Sequence, residues 1–169
     1  MPAPHAVIPV LEGLVSTMPT TGRQVASEWV RMCKVIMHQT ALRDETDWSV
    51  MALSDIDEDG AAETNTGDMP TMTNVYGLLV ANGSAAAERN WVVVSDSDTL
   101  TFDGTAALAN TVVAAYQPDA AGTAGVEELH GMVWPFGLTL ATGCTVAADG
   151  RDGTNPTLND LRGWILYRT

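Results

Sequence analysis

The sequence predicts a mainly β fold, an antiparallel β-sandwich or jelly-roll-like barrel, with an extended N-terminal arm and one candidate short helix. From residue 73 onward, apolar runs rich in β-branched and aromatic residues recur at fairly regular spacing. Turn-forming Gly, Pro, Asn and Asp separate these runs, and no helical pattern stands between them. Six or seven such strands are typical of antiparallel sandwiches and barrels.

The length and the composition are those of one domain with a short arm. The chain has 169 residues, of which 46% are hydrophobic, so it can bury a sizeable core. Residues 1–22 contain four prolines, which argue against a continuous helix, and we assign this segment to the extended arm. Residues 23–169 are assigned to a single β-sandwich domain.

Residues 23–40 have a pattern that suits both a helix and a strand. The stretch "WVRMCKVIM" is rich in residues that favour strands. Helical spacing links several of the apolar residues, and this spacing favours a helix. The residues that share the spacing are Val25, Trp29, Met32, Cys33 and Ile36.

The predicted strands follow one another toward the C-terminus. The first is "DWSVMALSDI", and a polar loop over residues 57–71 comes after it. "TNVYGLLVA" and "NWVVVSD" form the next two strands, on either side of the turn dipeptide Asn82-Gly83. Residues 129–149 hold two strands, broken at Pro135 and Gly143. The other predicted strands are 99–105, 109–117 and 162–169.

The charge of the chain excludes some partners. The net charge is −13 and the pI is about 4.3, so the chain repels nucleic acid and has no basic patch to bind it. This acidity favours docking onto a cationic protein surface, although adaptation to salt would give the same imbalance. No Lys or Arg precedes Arg23 and no long apolar run occurs there, which predicts neither a secretory signal nor a membrane span. We expect a soluble protein that is made in the cytoplasm and binds no membrane.

The stretch "SDIDEDGAAE" begins as a calcium-binding loop begins. The carboxylates that alternate in it are Asp55, Asp57 and Asp59. Gly60 takes the turn position, but Thr66 stands at the twelfth position, where a bidentate carboxylate is needed. We therefore predict an exposed acidic connection without a metal ion. A looser site completed by Glu63 or Asp68 is the alternative.

No stretch carries a convincing catalytic constellation, and we predict a protein that is not an enzyme and needs no cofactor. His130 follows Glu127 and Glu128, but no second His lies nearby, so a half-buried histidine at a strand start is favoured over a metal site. Neither a G-x-S-x-G motif nor a phosphate-binding loop occurs. Cys33 and Cys144 stand far apart among apolar neighbours, which predicts two buried free thiols, with a disulfide as the alternative.

Three tryptophans in predicted strands leave open a carbohydrate-binding surface. A row formed by Trp91, Trp134 and Trp164 could stack against sugar rings. The alternation of strand side chains favours core positions for them instead.

Two stretches of the C-terminal half follow one another in a recognisable order. "VYGLLVANGSAAAERNWVVVSDS" (75–97) precedes "WPFGLTLATGCTVAADGRDGTNPTLNDLRGWILYR" (134–168). The positions that carry the pattern are Phe136-Gly137-Leu138, Thr142-Gly143, Val146-Ala147-Ala148 and Tyr167-Arg168. Over residues 75–169 this succession resembles the accessory proteins of tailed-bacteriophage virions. It departs from their pattern at Cys144 and in the order of Pro135 and Phe136.

The resemblance implies a β-sandwich that decorates or cements a phage capsid by binding the major capsid protein. The chain would then be a non-catalytic structural protein of the virion, on the capsid surface, and a homo-oligomer with a trimer favoured. Another head or tail accessory protein, or a carbohydrate-binding module for host recognition, is the alternative.

The N-terminal arm supplies the predicted interface. Six aliphatic residues fall within nine positions of it, and a free arm that exposed them would aggregate. We expect this arm to bind another subunit of the oligomer or the capsid beneath it. The interface residues are Val7, Ile8, Val10, Leu11, Leu14 and Val15.

Overall fold

The computed structural model contains two helices and nine strands in the residues that it describes. The described residues are 6–40, 48–53, 62–63, 73–83, 91–96, 100–101, 112–116, 127–141, 145–149 and 161–168. The helices are α1 (Val7–Thr17) and α2 (Arg23–Thr40). The strands are β1 (Trp48–Leu53), β2 (Ala62–Glu63), β3 (Thr73–Asn82), β4 (Trp91–Ser95), β5 (Leu100–Thr101), β6 (Val112–Tyr116), β7 (Glu128–Leu140), β8 (Thr145–Asp149) and β9 (Leu161–Arg168).

The strands form three antiparallel sheets within the described part of the chain. The largest has the order β1-β9-β3-β7 and is open, with β1 and β7 at its edges. A three-stranded sheet has the order β6-β4-β8, and β2 pairs with β5. The mainly β, antiparallel fold is therefore confirmed. These pairings establish neither a barrel nor a sandwich.

The N-terminal segment contains a helix, which corrects the predicted extended arm. Helix α1 begins at Val7 and continues through Pro9, its third residue. The first N–H groups of a helix have no acceptor within it, so a proline there removes no hydrogen bond. Pro19 follows the C-cap residue Met18, whose ψ of 150° has already left the helix. The two prolines thus lie at the ends of α1, where proline is tolerated.

The four-stranded sheet is buried on both faces, and strand β3 shows this residue by residue. Tyr76, Leu79 and Ala81 belong to a buried cluster with side chains of α1 and α2. Leu78 and Val80 belong to a second cluster. The members that the second cluster takes from the three-stranded sheet are Val92, Val94 and Val146. Burial on both faces explains why this strand is a continuous apolar run.

Helix α2, which the helical spacing predicted, is confirmed, and Trp29 joins it to the sheet. The Trp29 side chain is fully buried, and its indole N–H donates a hydrogen bond to the Met132 carbonyl of β7 at 3.0 Å. Gly131 makes this close approach possible, because a Cβ atom there would lie 2.8 Å from Cδ1 of Trp29. The glycine is therefore part of how α2 packs on β7.

Candidate functional site

Strand β7 forms one edge of the four-stranded sheet and departs from regular geometry near its middle. Val75 of β3 pairs with Leu138, but Gly77, two residues further along β3, pairs with Val133, five residues back along β7. The extra residues, Trp134 to Gly137, form an enlarged bulge, which we call the β7 bulge. The sequence predicted that Pro135 would end the strand. That prediction is wrong, because proline is tolerated at a bulge of an edge strand.

Contacts on both sides of the β7 bulge fix it in place. On its N-terminal side, the Trp29 indole binds the Met132 carbonyl. At its C-terminal end, Gly137 has a φ of 77° and lies against the ring of Tyr76, where a Cβ atom would be 3.0 Å from Cζ. The Tyr76 ring in turn packs against Trp48 of β1, with the ring centroids 4.8 Å apart. The bulge is therefore held by aromatic side chains of α2, β3 and β1.

The β7 bulge presents Phe136 to solvent. The Phe136 side chain is 98% exposed, and Pro135 beside it is exposed as well. The other large apolar side chains that are exposed in the described residues are far more covered. They are Val10 at 56%, Val35 at 44% and Val25 at 38%. An aromatic ring held out in this way on a structured strand is a candidate contact for a partner.

The chemical character of this edge differs from that of the whole chain. Strand β7 has no Asp, Glu, Lys or Arg from residue 129 to its end at Leu140, and its neighbour β3 has none either, although the chain has 21 acidic and eight basic residues. Just before this segment, Glu127 forms an ion pair with Arg162 of β9, with Nη2 and Oε2 2.7 Å apart. Phe136 therefore lies at a sheet edge that is free of Asp, Glu, Lys and Arg, in a strongly acidic protein.

The six N-terminal residues that were predicted as an interface lie on α1, and most of them contact the rest of this chain. Val7, Leu11 and Leu14 are buried in the cluster between the helices and the sheet. Ile8 and Val15 are half-buried and pack against the same cluster, while Val10 is exposed. Three of the six are therefore already covered within the chain. A role of this segment in binding a partner stays a prediction.

The other predicted sites divide between described and undescribed residues. Asp55, Asp57 and Asp59 lie outside the described residues, as does Cys144. Glu127, next in sequence to Glu128 and near His130, accepts three hydrogen bonds from the Arg162 guanidinium, at 3.0, 3.2 and 2.7 Å. In the described part of the chain, no group of three or more His, Cys, Asp or Glu side chains is placed to hold a metal ion.

The tryptophan row that the sequence left open as an alternative does not form between Trp134 and Trp164. Trp164 packs against the helix-side cluster, and Trp134 packs against the cluster on the opposite face of the sheet. Arg162 also lies over the Trp164 ring, 5.1 Å from its centroid. Core packing, which strand alternation favoured, is the correct interpretation for these two. The side chain of Trp91 lies outside the described ones.

Cys33 is a buried free thiol, as predicted. Burial raises the pKa of the Cys33 thiol from 9.0 to about 12, since the thiolate would lose its hydration. The thiol is therefore neutral at ordinary pH, and its side chain packs in the cluster between the helices and the sheet.

A shallow groove of about 410 Å³ lies between α1 and α2. Its charged side chains pair with one another, Arg31 with Glu28 at 2.9 Å and Lys34 with Glu12. These pairs satisfy the charges that an ionic ligand would need. Neither described helix is long and apolar enough to span a membrane.

Sequence reasoning missed Phe136 as a surface residue, because it lies in an apolar run that reads as a buried strand. The available signal was the tripeptide Pro-Phe-Gly, since proline and glycine inside a strand mark a bulge. Comparison with known proteins found no matching family model, no matching curated protein and no matching solved structure.

Proposed function

We propose that this chain is a non-catalytic structural protein of a phage virion, which decorates or cements the capsid by binding the major capsid protein. The observation that carries the proposal is that the two stretches with the resemblance meet in space. Strand β3, from the first stretch, pairs with β7 and β9 from the second, and β4 pairs with β8. The resemblance therefore runs through strands that are packed together, which supports reading it as one structural unit.

The fold that goes with this function is a β-sandwich. Residues of the four-stranded sheet, such as Leu78 and Ile165, share one buried cluster with Val92 and Val146 of the three-stranded sheet. A core shared between two sheets is typical of a sandwich, and this cluster supports that part of the proposal. Helices α1 and α2 then cover the outer face of the larger sheet, beyond what the resemblance alone implied.

The charge distribution supports docking onto a cationic surface. Residues 6–40 carry two acidic and three basic side chains, a net charge of +1, so the remaining residues together carry −14. The acidic field therefore comes from the part of the chain that contains the strands and their connections. Such a field steers the protein toward a positively charged partner, and the attraction weakens as salt is added.

The test is mass spectrometry of purified particles, followed by rebinding of the isolated chain to particles that lack it. We expect the chain in many copies per particle, and we expect rebinding to weaken as ionic strength rises. An unrelated protein of similar size and net charge is the control for non-specific adsorption. Particles that contain the major capsid protein but never this chain would refute the proposal. A few copies per particle would instead indicate a head or tail accessory.

A further inference from the structure

The β7 bulge is built to hold Phe136 outward. Trp29 fixes the strand at Met132, before the bulge, and Tyr76 supports Gly137, the last residue of the bulge. Between these two points the chain exposes Pro135 and leaves the Phe136 ring 98% accessible. A mobile tip would let the ring fold back onto the protein, whereas this geometry keeps it in solvent.

A surface of this composition is suited to association. Aromatic residues are enriched in the cores of protein interfaces, where charged residues are depleted. The β7 bulge has both properties, because Phe136 is aromatic and no Asp, Glu, Lys or Arg occurs in β7 from residue 129 to 140 or in the adjacent β3. The strand is also at the sheet edge, so no other described strand covers it on the side away from β3.

The charge of the chain decides which occupant this surface suits. A cationic partner would bind where acidic residues lie, and the β7 bulge has no acidic side chain to pair with it. Two copies of a chain with net charge −13 repel each other, and the repulsion is weakest where they meet without charged side chains. The same edge on a second copy is such a surface. We propose that the chain self-associates through the β7 bulge, with Phe136 of each copy covered by the other.

The contact is isologous, so each copy presents the same residues around a two-fold axis. The two Phe136 rings then lie near the axis, where they can pack against each other or against Pro135 of the other copy. Because the bulge interrupts the edge, side chains rather than a continuous backbone ladder join the copies. An isologous contact closes at two copies, so it predicts a dimer, which differs from the trimer that the resemblance implies.

The test is sedimentation velocity of the isolated chain over a wide range of concentration, at low and at high ionic strength. We expect a monomer–dimer equilibrium that shifts toward the dimer as salt screens the repulsion. Phe136→Ala should weaken the dimer about thirtyfold or more, because both copies lose a central aromatic contact. Phe136→Glu should abolish the dimer by placing like charges together at the axis. Thermal melting of both variants at monomeric concentration should match that of the wild type, since the ring makes few contacts within the chain.

Val35→Ala is the matched control, because it removes an exposed apolar side chain, 44% accessible, from helix α2 instead. It should leave the dimer unchanged. A wild type that stays monomeric at every concentration and salt, or a Phe136→Ala variant that still dimerises as well as the wild type, overturns the proposal. So does a Val35→Ala variant that no longer dimerises. The inference does not depend on the capsid role, and salt acts on the two in opposite directions, so either can fail alone.

Discussion

Replacing Leu11 by alanine tests whether the N-terminal segment is part of the core. Leu11 lies on α1 and is 0% exposed, within the cluster between the helices and the sheet. Val10, its neighbour on the same helix, is 56% exposed. Val10→Ala is therefore a matched control, since it shortens an adjacent aliphatic side chain that the core does not contain.

The size of the effect follows from burial. Truncating a fully buried leucine to alanine costs about 2–5 kcal/mol, from lost transfer free energy and the cavity left behind. This is a large part of the roughly 5–15 kcal/mol by which domains are stable. For a chain of this length we expect the melting temperature of Leu11→Ala to fall by about 4–20 °C. Val10→Ala should change the unfolding free energy by no more than about 0.5 kcal/mol.

The assay is thermal and urea unfolding followed by circular dichroism, at a concentration where the oligomeric state is known. The urea midpoint of Leu11→Ala should fall while the slope stays constant, because the surface exposed on unfolding hardly changes. A free arm that only binds partners would leave both variants as stable as the wild type. Equal midpoints for Leu11→Ala and the wild type would therefore refute the packing of α1 described above.

Three further predictions concern the contacts around the sheet. Trp29→Phe should lower the unfolding free energy by about 1–3 kcal/mol, since the Met132 carbonyl loses its indole donor, and urea unfolding measures this. Gly137→Ala should destabilise by roughly 1–3 kcal/mol, because its φ of 77° suits glycine and a Cβ atom would press on Tyr76. Gly13→Ala is its control and should stabilise by about 0.5–1 kcal/mol, because it lies in a helix and a Cβ atom there meets nothing within 4 Å. Burial holds the pKa of the Cys33 thiol at about 12 in the folded chain, above the ordinary 9.0. The stabilisation from the buried neutral thiol is therefore complete below pH 9 and is lost as the pH rises toward 12. Cys33→Ala should therefore remove part of the alkaline loss of stability, and a pH series of urea midpoints that runs parallel for the two proteins would contradict this.

Strands whose burial produces a continuous apolar run in the sequence could be predicted. Strand β3 is apolar along its length because one cluster covers Tyr76 and Leu79 while another covers Leu78 and Val80. The same logic located β4 at "NWVVVSD" and β9 near the C-terminus. Helix α2 was found because its buried residues repeat every three or four positions, and Trp29 and Cys33 are among those the cluster contains.

The number of prolines in residues 1–22 argued against helix α1, whereas the positions of those prolines are compatible with it. A proline in the interior of a helix removes a hydrogen bond, but one in the first turn does not. Pro9 stands in that first turn, and Pro19 stands just beyond the last. The buried residues Val7, Leu11 and Leu14 keep helical spacing, so the periodic signal was present and should have outweighed the proline count.

The β7 bulge could not be derived from strand alternation, since it depends on two neighbouring strands at once. Val75 and Gly77 would share a face in a regular strand, yet Val75 lies in the cluster beside the three-stranded sheet and Gly77 lies beneath Trp29. Tyr76 is therefore an extra residue of β3, as its pairing with β9 also shows, and β7 must depart from regularity where it faces this irregularity. A sequence pattern describes one strand and carries no register, so it assigns an aromatic residue in an apolar run to the core. Trp29 and Phe136 both stand in such runs, yet Trp29 is buried and Phe136 faces solvent. The difference arises from the contact between Gly137 of β7 and Tyr76 of the neighbouring strand β3, which a sequence pattern does not contain.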